Sequence, residues 1–126
     1  MITNNFSILY IDDDIILKEK YMRFLRLYFK NVYEASSGKE ALEKYYIYKP
    51  DVIILDINIP KINGIKVAKE IREVDEDIIL IVLSASSQTE KILSVVDLKL
   101  FKYIIKPIKT FDFETLLKNV IIQLKK

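Results

Sequence analysis

The strongest constraint on the fold is a fivefold alternation of short apolar runs with longer segments of helical spacing. The apolar runs occupy residues 8–11, 32–35, 52–55, 78–83 and 103–105, and the helical segments occupy residues 14–29, 38–47, 64–73, 89–96 and 111–124. Runs such as DVIIL and IILIVL are continuously apolar and rich in β-branched residues, which is typical of strands buried on both faces. The pattern therefore predicts a parallel sheet with helices packed on both sides.

Right-handed crossovers leave few ways to connect five parallel strands. The sequence predicts a doubly wound α/β fold of the flavodoxin-like kind, with the strands in the order 2-1-3-4-5. Such sheets bind ligands beyond the carboxyl ends of the strands, at the point where the strand order reverses, which here lies between the first and third strands. Residues 1–126 contain no internal repeat or linker and are expected to form one domain.

The composition excludes several classes of function. The chain has no cysteine and no histidine, so disulfides, thiolate nucleophiles and histidine-activated serines are impossible. The 20 basic and 18 acidic residues are scattered and give a net charge of +2, so direct binding to nucleic acid is not expected. The sequence shows neither a secretory leader nor an apolar run of membrane-spanning length, and we expect a cytoplasmic protein without membrane contact.

Polar residues follow the apolar runs at the ends where a ligand site is expected. They are Asp12 and Asp13 after the first run, Asp56 after the third, Ser84 after the fourth and Lys106 after the fifth. Because the carboxyl ends of parallel strands meet at one edge, these side chains should converge. Carboxylates suit Mg²⁺, while an ammonium and a hydroxyl suit phosphate oxygens. One carboxylate could itself attack phosphorus once a metal offsets the repulsion of an anionic donor.

Four motifs carry a specific resemblance. They are the acidic pair Asp12-Asp13, the segment DVIILDINIPKINGIKVAKEIR around Asp56, LSA at residues 83–85 and YIIKP at residues 103–107. In these motifs and their spacing the chain resembles, over essentially its whole length, the receiver domain of two-component response regulators, and chemotaxis-regulator-like receivers in particular. The resemblance implies a Mg²⁺-dependent phosphoacceptor served by a histidine kinase or a histidine phosphotransfer protein. It implies a substrate that promotes its own phosphorylation and slow dephosphorylation, not an independent enzyme.

The resemblance assigns residues to a metal site. Asp56 is similar to the phosphoacceptor of the family, and Asp13 and Asp56 would ligate Mg²⁺ directly. Asp12 would assist through a water molecule, and Asn58 would contribute its backbone carbonyl. These assignments come from the family and not from spacing alone.

A switch is also implied by the resemblance. Lys106 would pair with the phosphoryl group, and Ser84 would hydrogen-bond a phosphoryl oxygen while Ala85 keeps the entrance open. Tyr103 resembles the family's switch aromatic, whose ring turns inward when the Ser84 hydroxyl moves toward the phosphate. Such a change is a population shift between two arrangements of the protein.

Supporting residues and partner surfaces follow from the same family. Pro107 would follow a cis peptide bond, and Pro60 and Gly64 would shape the loop beside Asp56. The resemblance allows a homodimer through the fourth helix, fifth strand and fifth helix. The chain reads DLKLFK before Tyr103, where the family commonly has Gly-Ala and acidic residues, so this apolar group could be a different partner surface. The sequence does not name the downstream output protein or fused domain.

A phosphatase is the first alternative. The segment YIDDDI also fits the Asp-x-Asp signature of haloacid-dehalogenase-type phosphatases. Asp12 would then be the nucleophile and Asp14 the general acid–base, with Ser84 and Lys106 in the later motifs of that family.

Several features weigh against that alternative. Those enzymes need a further acidic motif after the lysine, where only Asp112 and Glu114 follow inside a predicted helix, and Asp56 would be left unexplained. Asp14 is more simply a helix cap. The second alternative is a receiver-shaped binding module that is never phosphorylated, whose mark is loss of the acidic pair, the phosphoacceptor or the lysine. All of these are present.

Overall fold

Five parallel strands with helices on both faces form the fold. The computed structural model describes residues 4–58, 64–85 and 95–126. The strands are β1 (Ser7–Ile11), β2 (Asn31–Ala35), β3 (Val52–Asp56), β4 (Ile79–Ser84) and β5 (Lys102–Ile105). The helices are α1 (Ile15–Tyr28), α2 (Gly38–Tyr48), α3 (Gly64–Val74) and α4 (Thr110–Leu124), with a 3-10 turn at Val96–Leu98. The predicted helix at 89–96 lies outside the described residues except for its last two positions.

The strand order is β2-β1-β3-β4-β5, and every neighbouring pair is parallel. Ile11 of β1 pairs with Leu55 of β3, and Ser84 of β4 pairs with Ile105 of β5. The predicted flavodoxin-like fold is confirmed, with the reversal of strand order between β1 and β3. This register brings the carboxyl ends of β1, β3 and β5 to one edge of the sheet.

Side-chain alternation along the strands divides the core into two layers. Leu9 and Ile11 pack in the layer covered by α2 and α3, and Ile8 and Tyr10 pack in the layer covered by α1 and α4. Every residue of β3 is buried because both faces of this central strand are covered. Each large aliphatic side chain buried in this way contributes about 1.5–3 kcal/mol. The ends of β1 and β3 therefore rest on a rigid framework.

Side-chain caps set where α1 and α2 begin. Asp14 Oδ1 accepts a hydrogen bond from the Leu17 N–H at 3.0 Å, and Ser37 Oγ accepts one from the Glu40 N–H at 3.2 Å. The Glu40 carboxylate accepts in turn from the Ser36 N–H at 2.6 Å, which resembles a capping box. The interpretation of Asp14 as a helix cap is confirmed.

Arg72, in the last turn of α3, fixes the segment that leads into β5. Its guanidinium donates to the carbonyl oxygens of Ile78 at 2.9 Å, Leu98 at 2.7 Å and Lys99 at 3.2 Å. A guanidinium can serve several carbonyls at once because its donors form a rigid planar fork. These bonds hold the 3-10 turn and the residue after it, which lead into β5, against α3.

None of the described helices has the length of a membrane span. The longest, α4, has 15 residues, fewer than the roughly 20 needed to cross a bilayer. Within the described ranges, no helix is both long and apolar enough to cross a membrane.

Candidate functional site

Three carboxylates lie together at the carboxyl edge of the sheet. Asp12 directly follows β1, Asp13 is its neighbour, and Asp56 is the last residue of β3. One oxygen from each carboxylate lies within 4.8 Å of the others. Asp12 and Asp56 are only 0% and 2% exposed, whereas Asp13 is exposed. The cluster thus combines a buried pair with an open side from which a ligand can approach.

The Lys106 ammonium lies between the two buried carboxylates. Its Nζ is 2.8 Å from Asp56 Oδ2 and 3.4 Å from Asp12 Oδ2. Burial acts to lower the pKa of Lys106, but the hydrogen bond and charge of Asp56, together with those of Asp12, raise it above the ordinary value. The lysine therefore stays charged and neutralises part of the negative cluster.

Three donors surround the buried Asp12 carboxylate. Its Oδ1 accepts from the Asp14 N–H at 3.0 Å, and its Oδ2 accepts from the Tyr10 hydroxyl at 3.0 Å and from Lys106. Burial is the main cause that raises the pKa of Asp12, with the Asp56 charge adding to it, whereas the Asp14 N–H and Lys106 oppose the shift. A crowded, buried carboxylate of this kind is stabilised in its ionised form by any further positive charge.

Asn58 links Asp56 to the end of β4. Its backbone N–H donates to Asp56 Oδ1 at 2.8 Å. Its side-chain Oδ1 accepts from the Ala85 N–H at 3.1 Å and from Ser84 Oγ at 3.4 Å. Ser84 is fully buried and Ala85 is exposed. Asn58 therefore holds the Ser84 hydroxyl and the residue after it close to Asp56.

Tyr103 and Pro107 lie on either side of Lys106 along the chain. Tyr103 is half-buried, pairs with Val82 in the sheet and packs against the core layer of α2 and α3. The Lys106–Pro107 peptide bond is cis, as expected. Pro60 lies outside the described residues.

Gly64 begins α3 where that helix meets the chain just after Asp56. A Cβ at Gly64 would lie 2.4 Å from the Cα of Ile57 and 2.9 Å from its carbonyl carbon and oxygen. These are backbone atoms, so no side-chain rotation relieves the overlap. Glycine therefore permits the close approach of α3 to the residue that follows Asp56.

Replacing Gly64 with alanine is expected to destabilise the protein by about 3 kcal/mol, because the new methyl group forces α3 or the Ile57 backbone to move. The displaced backbone adjoins Asp56, so any reaction at its carboxylate should slow as well. Urea unfolding measures the loss, with Lys66→Ala at an exposed position in the first turn of α3 as the control. Equal stability of the two variants would contradict the close approach.

Asp14 does not belong to the acidic cluster found among the described residues. Its carboxylate caps α1 through the Leu17 N–H, whereas the phosphatase alternative needs it as the general acid–base. Asp56, which that alternative leaves unexplained, is a member of the cluster.

The donor set at this edge fits a hard divalent cation. Three carboxylates against one ammonium leave an excess of negative charge. Like charges about 4 Å apart repel by roughly 4 kcal/mol at an effective dielectric near 20. The atoms that these side chains offer to a metal are carboxylate oxygens, and Mg²⁺ and Ca²⁺ prefer oxygen ligands to nitrogen or sulfur. The cluster of Asp12, Asp13 and Asp56 is therefore able to hold a metal ion.

Comparison with known proteins decides the family. The model of the response regulator receiver domain matches residues 8–120. The chain belongs to this receiver family. That match includes the acidic cluster, Ser84 and Lys106.

Relatives of this receiver include a chemotaxis protein and a probable transcriptional regulator. It is 39% identical over 74 residues to the chemotaxis protein CheY of Thermotoga maritima, covering 59% of this chain and 62% of that protein. It is 31% identical over 115 residues to the probable transcriptional regulator ycf27 of Guillardia theta, covering 91% of this chain and 45% of that protein. The chain thus spans less than two thirds of these curated relatives.

A solved structure supports the same fold. The Vibrio cholerae chemotaxis protein CheY4 is 27% identical to this receiver and superposes with a TM-score of 0.80, covering 94% of this chain and 98% of that one.

Two contacts in the receiver's acidic site lie beyond the motifs read from the sequence. The Tyr10 hydroxyl donates to Asp12, and the Asn58 side chain accepts from Ser84 at the end of β4 and from Ala85 after it. The alternation of side chains along a strand puts positions 10 and 12 on the same face, which was an available signal for Tyr10. No sequence signal indicates which neighbour the Asn58 side chain contacts, because that depends on how two loops meet.

Proposed function

We propose that this receiver is the phosphoacceptor of a two-component phosphorelay, and that Asp56 takes a phosphoryl group from a histidine kinase or a histidine phosphotransfer protein. The observation that carries the proposal is the 2.8 Å contact between Lys106 Nζ and the buried Asp56 carboxylate, beside two further carboxylates. A single ion pair would be a structural bridge. The three carboxylates carry more negative charge than the one ammonium neutralises, which favours a site that binds a further cation. The ammonium itself is suited to hydrogen-bond a phosphoryl oxygen.

Mg²⁺ is the proposed cofactor. Asp13 and Asp56 would ligate it directly, Asp12 would do so through water, and Asn58 would contribute its backbone carbonyl. When bound, Mg²⁺ offsets the negative charge that a carboxylate and a phosphoryl group bring together. The exposure of Asp13 supports this arrangement because it gives a cation access to the buried pair.

The proposed reaction converts a phosphohistidine into an aspartyl phosphate. An Asp56 carboxylate oxygen attacks phosphorus and forms an O–P bond as the P–N bond breaks, and the electron pair stays on the donor's imidazole nitrogen. Lys106 then transfers its hydrogen bond from the carboxylate to a phosphoryl oxygen, where it is charge-assisted. The protein supplies position and electrostatics, so it acts as a substrate that promotes its own phosphorylation and slow hydrolysis.

Ser84 and Tyr103 form the proposed switch. Ser84 Oγ, now 3.4 Å from Asn58 Oδ1, would move to a phosphoryl oxygen, and the short side chain of Ala85 leaves the entrance open. The ring of Tyr103, three residues before Lys106, would then turn inward. Phosphoryl contacts need favour the second arrangement by only a few kcal/mol to shift the populations.

The output surface is proposed to lie around β5 and α4. Ile105 and Phe111 are exposed there, at 46% and 78%, and such side chains are enriched in partner surfaces. We propose that residues 1–126 act as one receiver unit in the cytoplasm, without direct contact to nucleic acid or membrane. The signal would pass through this surface to an output protein, a fused domain or a second copy of the receiver.

Incubation with Mg²⁺ and acetyl phosphate, followed by intact-protein mass spectrometry, tests the proposal. The expected result is a gain of one phosphoryl group, and no gain when a chelator is present from the start of the incubation. No gain in the wild type would overturn the proposal and favour the binding-module alternative. Steady hydrolysis of a generic phosphomonoester that survives Asp56→Asn but not Asp12→Asn would establish the phosphatase alternative.

A further inference from the structure

Tyr10 is a polar residue of the core that the proposed reaction does not use. Its side chain is fully buried, and its hydroxyl donates to Asp12 Oδ2 at 3.0 Å. The same oxygen is 3.4 Å from Lys106 Nζ. Asp12 Oδ2 therefore has two hydrogen-bond donors. The Tyr10 hydroxyl is neutral and held in the core, whereas the Lys106 ammonium is a cation at the end of a flexible side chain.

The two donors differ in what happens to them during the proposed reaction. Lys106 leaves Asp12 and Asp56 for a phosphoryl oxygen, whereas Tyr10 is held by its packing in the layer of α1 and α4. The Tyr10 hydroxyl lies 3.0 Å from Asp12 Oδ2 and is enclosed by the core, so it remains in place as a donor to that oxygen. A buried carboxylate oxygen that lost every donor would incur a desolvation cost, because Asp12 has no exposed surface.

We propose that Tyr10 is a positioning residue of the metal site, whose hydroxyl holds the Asp12 carboxylate in place while Lys106 exchanges partners. The inference rests on the proposed Mg²⁺-dependent function. Hydrogen-bonding groups outside the direct ligands fix the geometry of a metal site, and their loss typically weakens metal affinity tenfold or more. Tyr10 acts on the metal through Asp12 and touches neither the metal nor the phosphoryl group.

Tyr21 provides a matched control. It is 1% exposed, and its ring lies 5.9 Å from the Tyr10 ring. Its hydroxyl is buried and has no hydrogen-bond partner within the part of the chain that the structure describes. Tyr21→Phe therefore removes the same group from the same aromatic cluster without changing the donors of Asp12.

Calorimetric titration with Mg²⁺ alone, at a temperature where all proteins are folded, tests the inference. Tyr10→Phe should weaken Mg²⁺ affinity about tenfold, and Tyr21→Phe should stay within about twofold of the wild type. A purely structural role would change the urea midpoint of Tyr10→Phe and leave its Mg²⁺ affinity unchanged, which would overturn the inference alone. A wild type that binds no Mg²⁺ would overturn the proposed function and this inference with it.

A second measurement applies if Tyr10→Phe does not fold. In wild-type protein labelled with ¹³C at tyrosine Cζ, the Tyr10 signal should shift with the same half-saturation as Mg²⁺ binding. The Tyr21 signal should shift much less, because its hydroxyl makes no hydrogen bond to the acidic cluster among the described residues. A Tyr10 signal that does not move while Mg²⁺ binds would overturn the inference.

Discussion

Replacing Asp56 with asparagine is expected to slow phosphorylation by acetyl phosphate at least about a thousandfold, which corresponds to about 4 kcal/mol of activation free energy. Asparagine keeps the size of the side chain and an oxygen that can accept the Asn58 N–H. It lacks the anionic oxygen that attacks phosphorus, and Asp12 is not expected to replace it. Asp12 is fully buried and engaged with three donors.

Intact-protein mass against time measures the effect of Asp56→Asn. Asp112→Asn is the matched control, because Asp112 is an exposed acid in the first turn of α4. The Asp112→Asn variant should be phosphorylated at the wild-type rate. The phosphatase alternative, in contrast, needs an acidic motif after Lys106, and Asp112 is one of the two acids available for it. An Asp56→Asn variant that gains a phosphoryl group as fast as the wild type would contradict the assignment.

Replacing Lys106 with methionine is expected to lower the free energy of unfolding of the metal-free protein by about 3 kcal/mol. Methionine fills the space of the stem but leaves the buried Asp12 and Asp56 carboxylates without their cation. The same change should tighten Mg²⁺ binding, because the metal no longer competes with the ammonium for those oxygens. Saturating Mg²⁺ should therefore restore more stability to Lys106→Met than it adds to the wild type.

The pH dependence of this loss has a defined sign. The pKa of Lys106 is raised in the folded protein, so its stabilisation is fully present below the unfolded pKa of about 10.4 and is lost as the pH rises through the folded pKa. The difference in stability between wild type and Lys106→Met should be constant near neutral pH and shrink above about pH 10.4.

Urea unfolding with and without Mg²⁺ measures both effects of Lys106→Met. Lys102→Met is the matched control, since Lys102 is exposed at the start of β5, the strand that Lys106 follows. An equal loss of stability in the two variants would contradict a role specific to Lys106. A Lys106→Met variant whose stability does not rise when Mg²⁺ is added would also contradict that role.

The arrangement of the site could be predicted because it depends on topology. Apolar runs separated by helical segments predict the strand order, and the order brings positions 12, 56, 84 and 106 to one edge. The ends of elements were less predictable, because hydrogen bonding determines them. The fourth strand was predicted at 78–83, yet it is Ile79–Ser84, so the serine of the site is itself part of the strand.

Other features of the site depend on contacts between distant segments. The overlap that a Gly64 Cβ would make with Ile57 requires knowledge of how α3 meets β3. Arg72 bonds to carbonyls near residues 78 and 98 through the same kind of packing. Sequence patterns report which face of an element is buried, but they do not report which backbone atoms approach each other across elements.

The central claim is that Asp56 carries the phosphoryl group. Borohydride reduces an acyl phosphate to an alcohol, so treating the phosphorylated protein with it and mapping peptides by mass spectrometry locates the modified carboxyl group. Reduction is expected at Asp56 in the wild type, and none is expected when Mg²⁺ is withheld. Reduction at Asp12 or Asp13 instead, or a stable phosphate found on Ser84, would contradict it.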